Sequence, residues 1–180
     1  PYTYPERALH SMHVGEAITA DSFAVPAPAG KDRVTVRAIE VIPARVGDYE
    51  RRATLHVKDG RLESDVEQDL LKTFVFERHH ETGSRGVGFV SGFGIKRGAL
   101  ASTVAHDAHN LLVMGTNDPD MALAANTLIQ CGGGMAAVLD GRVLGCAPLP
   151  IAGLMNDKPA EEMAALVAGL EAAWKEMGCT

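Results

Sequence analysis

Residues 135–146 read Met135-Ala136-Ala137-Val138-Leu139-Asp140-Gly141-Arg142-Val143-Leu144-Gly145-Cys146. The central Asp140-Gly141 pair favours a two-residue type I′ turn, because that turn requires a positive φ at both central positions. Apolar residues on either side predict the two antiparallel strands of a β-hairpin. Earlier in the chain, Asp59-Gly60 separates residues 52–57 from residues 61–64 in the same way and predicts a second hairpin.

Further strands are expected at four places outside the hairpins. Alternation predicts a strand at residues 33–42, and β-branched or apolar residues predict strands at 71–78, 99–105 and 111–114. Residues 83–98 carry six of the 19 glycines, but their order matches neither the phosphate-binding loop nor the dinucleotide-binding fingerprint. These glycines are therefore expected to allow close backbone approach or bulges within a sheet.

Two helices are indicated by their ends as well as by their apolar faces. The first is expected to have Asp118 as its N-cap and Pro119 as its first residue, and to stop at Gly132-Gly133-Gly134. The second is expected from about residue 159 to residue 177, with Gly178 as its stop. Hairpins with short turns and few helices indicate an α+β fold, a mainly antiparallel β-sheet with packed helices.

The first 32 residues differ in character from the rest of the chain. Prolines at positions 1, 5, 26 and 28 interrupt regular structure there, although one short helix is expected at residues 5–12. Residues 1–32 are interpreted as an N-terminal arm or linker from a missing upstream domain, and a floppy terminus fits equally well. Residues 33–180 show no internal boundary and are expected to form one domain.

Composition and charge exclude several classes of protein. Apolar residues make up 46% and charged residues 22%, which is typical of globular proteins and excludes a disordered chain. The 17 basic and 23 acidic residues give a net charge of −6, which argues against nucleic acid as a partner. No apolar run is long enough for a membrane span, and three scattered cysteines predict a reducing, cytoplasmic location. The start of the chain has no signal-peptide pattern.

Two short groups of polar residues form the candidate functional cluster, called the histidine cluster below. Its members are His79, His80, His106, Asp107, His109 and Asn110. Histidine is the side chain best suited to proton transfer near neutral pH and is a common metal ligand. His56, within the first hairpin, is interpreted as a residue on a strand face.

Three interpretations of the histidine cluster stay open. If residues 106–109 form a helical turn, the i, i+3 spacing puts both rings on one face, where His106 and His109 could bind a metal ion and Asp107 or Asn110 could orient a ring. In an extended strand the two rings would point to opposite faces. The cluster could instead form a polar wall facing a substrate or a partner, or its histidines could hold turns through hydrogen bonds.

Other catalytic patterns are absent from the sequence. No G-x-S-x-G elbow surrounds Ser91, Ser102 or Thr103, and the signature of the zinc-dependent nucleobase deaminases does not occur. The cysteines lack the surroundings of a reactive thiol, and Cys131 is expected at a helix C-terminus, where the helix dipole disfavours a thiolate. Residue spacing alone therefore identifies no active site.

Longer motifs show a resemblance to a known family. They are Glu77-Arg78-His79-His80, Thr82-Gly83, Gly86-Val87-Gly88-Phe89-Val90-Ser91-Gly92-Phe93-Gly94, Gly98-Ala99-Leu100-Ala101-Ser102-Thr103-Val104-Ala105-His106-Asp107-Ala108-His109-Asn110, Gly115-Thr116-Asn117-Asp118, Gly132-Gly133-Gly134, Pro148-Leu149-Pro150-Ile151-Ala152-Gly153-Leu154-Met155 and the N-terminal Tyr4-Pro5-Glu6-Arg7-Ala8. Together they resemble the C-terminal domain of adenine deaminase, of the amidohydrolase superfamily, over nearly the whole chain. The sequence departs from the usual family pattern at Ala108, where Ser is more familiar, and at Glu81, where Gly is commoner.

The resemblance implies a function for a full enzyme rather than for this chain alone. The family hydrolyses adenine to hypoxanthine and ammonia, with a metal-bound hydroxide attacking C6 of the purine and a carboxylate moving protons to the leaving amine. Its manganese or iron ions lie in a (β/α)₈ barrel that precedes this domain, and the barrel's His-x-His ligand motif has no counterpart here. No cofactor is therefore assigned to the chain. Its expected partners are the upstream barrel, adenine and further copies in a homo-oligomer.

A stand-alone module without catalysis is the alternative hypothesis. Such a module would use the histidine cluster to bind a small molecule or a metal ion, or would serve in oligomerisation. The two hypotheses differ in whether the histidine cluster works beside an active site that lies upstream of this chain.

Overall fold

A computed structural model describes residues 2–45 and 47–179. Within those residues a nine-stranded sheet has the strand order β3-β2-β1-β5-β4-β7-β6-β8-β9. Every neighbouring pair is antiparallel except β1 and β5, which run parallel. The strands are β1 Arg33–Val41, β2 Asp48–Lys58, β3 Arg61–Leu62, β4 Leu71–Phe76, β5 Arg85–Ser91, β6 Ala99–Ser102, β7 Leu111–Gly115, β8 Gly134–Leu139 and β9 Arg142–Pro148. The predicted α+β class with a mainly antiparallel sheet is confirmed.

Both predicted hairpins are present with the predicted turns. Asp59 and Gly60 have φ values of 47° and 73° between β2 and β3, and Asp140 and Gly141 have 51° and 71° between β8 and β9. Positive φ at both central positions is the requirement of the type I′ turn. The strand expected at residues 99–105 is shorter than predicted, because the chain leaves the sheet after Ser102.

The helices are α1 Glu6–Leu9, α2 Asp118–Cys131 and α3 Ala160–Glu176, with a 3₁₀ helix at Ala20–Phe23. The expected N-cap of α2 was wrong by one residue. Asn117 caps the helix, accepting a hydrogen bond from the Asp120 N–H at 2.9 Å. The Asp118 carboxylate is not available for capping, because it contacts the ammonium group of Lys72. The predicted stop is confirmed, since Gly132 is the left-handed C-cap of α2.

Lys72 lies in the interior and joins three parts of the fold. Its side chain is fully buried, and its Nζ contacts the Asp118 carboxylate, the Glu63 carboxylate at 2.7 Å and the Phe23 carbonyl at 3.3 Å. Burial raises the pKa of Asp118, and the hydrogen bond and charge of Lys72 oppose that rise. The attraction between the Lys72 ammonium and the two carboxylates offsets the free-energy cost of removing this charge from water.

The helices cover the two faces of the sheet. Successive side chains on a strand point to opposite faces, so Ala136 and Val138 of β8 join the core under α2, while Ala137 and Leu139 join the core under α3. The core under α2 also contains Phe23 and Ile18 from the first 32 residues. Those described N-terminal residues therefore pack on the sheet, whereas the proposed boundary at residue 32 stays a prediction.

No helix among the described residues is both long enough and apolar enough to span a membrane. The short helix expected at residues 5–12 is present as α1 and is shorter than predicted.

Candidate functional site

Three loops meet at one end of the sheet because of the strand register. Phe76, the last residue of β4, pairs with Leu111, the first of β7, and Ser102, the last of β6, pairs with Leu112. Gly134 at the start of β8 pairs with Pro148 at the end of β9. The loops that follow β4, β6 and β9 therefore leave the sheet side by side. We call residues 77–84, 103–110 and 149–155 the loop cluster.

The second of these loops forms a tight turn at residues 106–108. The His109 N–H donates to the Ala105 carbonyl at 2.7 Å, and His109 has a φ of 50°. The rings of His106 and His109 lie with their centroids 5.8 Å apart and nearly perpendicular. These residues therefore form a turn rather than an extended strand, but the turn is not the helical one on which the metal hypothesis rested. The two rings lie side by side.

The two groups of the histidine cluster are brought together in space. The His79 Nε2 lies 3.0 Å from the carbonyl of Ala108, so the first loop contacts the second directly. His80 lies 3.4 Å from the Glu77 carboxylate. His106 and Asp107 are both more than four-fifths exposed and contact each other. The cluster is thus a single polar surface whose outer members face solvent.

Glu77 organises the first loop. Its carboxylate accepts hydrogen bonds from the N–H groups of His79, His80 and Thr82 at 2.5, 2.9 and 3.2 Å, and from the Thr82 hydroxyl at 2.9 Å. Burial alone would raise the pKa of this carboxyl, but the donors from His79, Thr82 and His80 outweigh it and lower the pKa to about 2. Glu77 is therefore ionised at neutral pH and fixes the backbone that carries His79 and His80.

Arg78 ties the loop cluster to the N-terminal segment. It is 1% exposed, and its guanidinium donates to the carbonyls of His109 at 2.6 Å, Ser11 at 2.8 Å and Ala152 at 3.0 Å. Burial lowers the pKa of this group, and its acceptors among the described residues are neutral oxygens. Because burying a charged group is costly unless it is hydrogen-bonded, the N–H groups of a buried guanidinium need acceptors of this kind.

Gly153 and Thr103 complete the contact between the second and third loops. A Cβ on Gly153 would lie 2.7–2.9 Å from the guanidinium atoms of Arg78, so only glycine fits there. The Thr103 hydroxyl donates to the Gly153 carbonyl at 2.6 Å and accepts from the Gly134 N–H at 2.7 Å. The loop after β9 is therefore fixed both to Arg78 and to the start of β8.

Comparison with known proteins identifies the family. A family model described as the adenine deaminase C-terminal domain matches residues 47–180. The chain belongs to this family. An adenine deaminase of Clostridium botulinum (strain ATCC 19397 / Type A) is 66% identical over 178 residues, covering 99% of this chain and 30% of the relative. Those of Moorella thermoacetica and Rubrobacter xylanophilus are 57% and 41% identical, covering 98% and 99% of this chain.

The resemblance to the adenine deaminase C-terminal domain is confirmed by these matches. The chain spans about 30% of the length of the curated relatives that it matches. The family motifs at residues 77–80, 98–110 and 148–155 each lie largely or wholly within the loop cluster. The family motifs and the geometry therefore point to the same end of the sheet.

Metal ions were expected for the full enzyme only from the resemblance, and the residues described here do not fit a metal site. Among residues 2–45 and 47–179, no three His, Cys, Asp or Glu side chains are grouped closely enough to hold an ion. His106 and His109 lie together without a third ligand from those residues. Metal binding by this pair stays a prediction without structural support.

Two buried polar atoms of the histidine cluster lack partners. His109 Nδ1 and Asn110 Oδ1 are buried and make no hydrogen bond within the described part of the chain. An unsatisfied buried polar atom costs about 1–3 kcal/mol, and such atoms are rare unless a partner is supplied from elsewhere.

The sequence reasoning missed four residues that build the site: Glu77, Arg78, Thr103 and Gly153. Glu77 and Arg78 had a usable signal, because two charged residues directly follow the apolar strand residues Phe74, Val75 and Phe76. Thr103 and Gly153 had none, since each acts through a partner about 50 residues away in sequence.

Proposed function

We propose that this chain is the C-terminal domain of an adenine deaminase and serves the hydrolysis of adenine to hypoxanthine and ammonia. In that reaction water adds at C6 of the purine and the 6-amino group leaves as ammonia. The observation that carries the proposal is 66% identity to an adenine deaminase over 99% of this chain. A cytoplasmic location and a homo-oligomeric state remain predictions.

We place the catalytic centre in an upstream barrel rather than in this chain. The manganese or iron that the family implies has no fitting group of ligands among the residues described here. No step of the reaction is therefore assigned to a residue of this chain. Its contribution is a surface beside the catalytic centre.

The loop cluster is the surface that we assign to this role. Arg78 holds the second and third loops, and Glu77 holds the first, so the histidine cluster is carried on a pre-organised backbone. In the full enzyme, the exposed members of the histidine cluster, His79, His80, His106 and Asp107, would face the mouth of the barrel. This role matches the polar-wall interpretation of the sequence.

A chimaeric enzyme tests the proposal directly. This chain would replace the matching region of the Clostridium botulinum relative, and adenine loss would be followed by ultraviolet absorbance in metal-supplemented enzyme. We expect an active chimaera. His106→Ala and Asp107→Ala should each lower kcat/KM about tenfold or more, because each removes an exposed polar group that would face the barrel.

His56→Ala is the matched control, since His56 is an exposed histidine on β2, far along the sheet order from the loop cluster. It should change kcat/KM less than twofold. The proposal is wrong if the relative without its matching region folds and deaminates adenine as fast as the intact enzyme. Variants that alter assembly but not turnover per folded molecule would instead support an oligomerisation module.

A further inference from the structure

Two cysteines that are 15 residues apart in sequence meet at the end of α2. Cys131 is the last residue of the helix, because Gly132 takes the left-handed C-cap conformation and turns the chain towards β8. β9 then returns antiparallel to β8 and places Cys146 opposite Ala136. The two sulfur atoms lie 4.0 Å apart. The sequence has no C-x-x-C spacing that would predict this pair. The two cysteines come together only because the end of α2 and the β8–β9 hairpin lie side by side.

The surroundings of the pair favour reaction at Cys131. Both cysteines are half-buried, and Cys131 lines a surface cavity of about 350 Å³ together with Leu9, His10, His13 and Pro150. The hydrogen bond with Cys146 lowers the pKa of Cys131 to about 7 and outweighs the effect of burial. The sequence argument considered the helix dipole and not the second sulfur, which lies 4.0 Å from Cys131 Sγ.

We propose that Cys131 and Cys146 form a redox-active dithiol that hydrogen peroxide converts into an intramolecular disulfide. The Cys131 thiolate attacks one peroxide oxygen, the O–O bond breaks, and a sulfenic acid forms at Cys131 while hydroxide takes up a proton to become water. The Cys146 sulfur then attacks the sulfenic sulfur, the S–S bond forms, the S–O bond breaks, and a second water leaves with the Cys146 proton. Two thiols are oxidised by two electrons, and one peroxide is reduced to two waters.

The geometry requires only a small adjustment. A disulfide has an S–S length of about 2.05 Å, so each sulfur has to move by about 1 Å from its position in the dithiol. The bond would join the last residue of α2 to β9, and Gly132-Gly133-Gly134 directly follows Cys131 in the chain. A Cβ on Gly133 would lie 2.5 Å from the Gly153 Cα, so the crosslink would be made directly behind the loop cluster. The proposal does not depend on the deaminase assignment.

Intact-mass measurement of the reduced 180-residue chain, treated with a slight excess of hydrogen peroxide, tests the proposal. We expect a monomer lighter by two hydrogen atoms, a Cys131–Cys146 crosslinked peptide after alkylation and digestion, and full reversal by dithiothreitol. A folded chain that keeps both thiols, or that forms intermolecular disulfides instead, would overturn the proposal.

Three serine variants locate the steps. Cys146→Ser should leave a sulfenic acid at Cys131 that dimedone traps, and Cys131→Ser should give neither disulfide nor trapped adduct. Cys179→Ser is the matched control, because Cys179 is also half-buried, and it should form the disulfide at an unchanged rate. Loss of the disulfide in Cys179→Ser, or dimedone labelling at Cys179 before Cys131, would contradict the assignment. Circular dichroism of each variant verifies that it is folded.

Discussion

Glu77 and Arg78 are neighbours in sequence whose charges are stabilised in opposite ways. The Glu77 carboxylate accepts from three backbone N–H groups and one hydroxyl. The buried Arg78 guanidinium donates to three carbonyls and the Ser11 hydroxyl. Each charged group therefore orders backbone rather than its neighbour's side chain, which is why these two residues define the shape of the loop cluster.

Glu77→Gln should make the stability of the chain less dependent on pH in the acid range. The folded-state pKa of about 2 lies below the ordinary value of 4.5, so the stability that the carboxylate contributes is complete above about pH 4.5 and is lost as pH falls towards 2. Urea unfolding of both proteins at several pH values measures this. The difference between wild type and variant should be largest above pH 4.5 and should shrink on acidification.

Thr82→Val supplies the internal check for this prediction, because it removes the hydroxyl donor and keeps the backbone donors. The Glu77 midpoint, followed by NMR of the side-chain carboxyl, should move upward in this variant. A difference between wild type and Glu77→Gln that stays constant from pH 6 to pH 2 would contradict the assigned cause.

At the scale of elements, local signals predicted strands and helices, and long-range contacts decided the site. Asp140-Gly141 specifies its own turn, because the φ values that it requires belong to those two residues. The acceptors of Arg78 lie 31, 67 and 74 residues away in sequence. A short stretch of sequence cannot show contacts between residues so far apart. The histidines were therefore predicted as candidates, and the role of Arg78 in holding their loop was missed.

Two glycine substitutions of opposite effect test the packing of the third loop. Gly153→Ala should destabilise the chain by about 2 kcal/mol or more, because Gly153 has a φ of 71° and an added Cβ would clash with the Arg78 guanidinium. Gly169→Ala, in the open middle of α3, should stabilise it by about 0.5–1 kcal/mol through helix propensity. Thermal unfolding of both variants measures the effects, and equal signs would refute this account of Gly153.

At the scale of the whole molecule, the sequence was enough to predict the family and the fold class. It was not enough to predict where the first 32 residues lie. The prolines there indicated irregular structure, but irregular structure is compatible with a free tail and with a packed one. A packed tail differs from a free tail in a small number of apolar residues that contact distant parts of the chain. Phe23 packs edge-on against the rings of Phe74 and Phe76 at centroid distances of 5.1 and 5.5 Å.

Phe23→Ala should show that the N-terminal segment is part of the folded core. Phe23 is 0% exposed, so truncation leaves a cavity between the 3₁₀ helix, β4 and α2, at a cost of about 3–5 kcal/mol. Tyr2→Ala, in the same segment but with Tyr2 75% exposed, should change stability by less than about 0.5 kcal/mol. Urea unfolding of the two variants gives both values. If Phe23→Ala were as stable as Tyr2→Ala, the segment would be a tail resting on an independent domain, and the Ser11 contact with Arg78 could not help to hold the loop cluster.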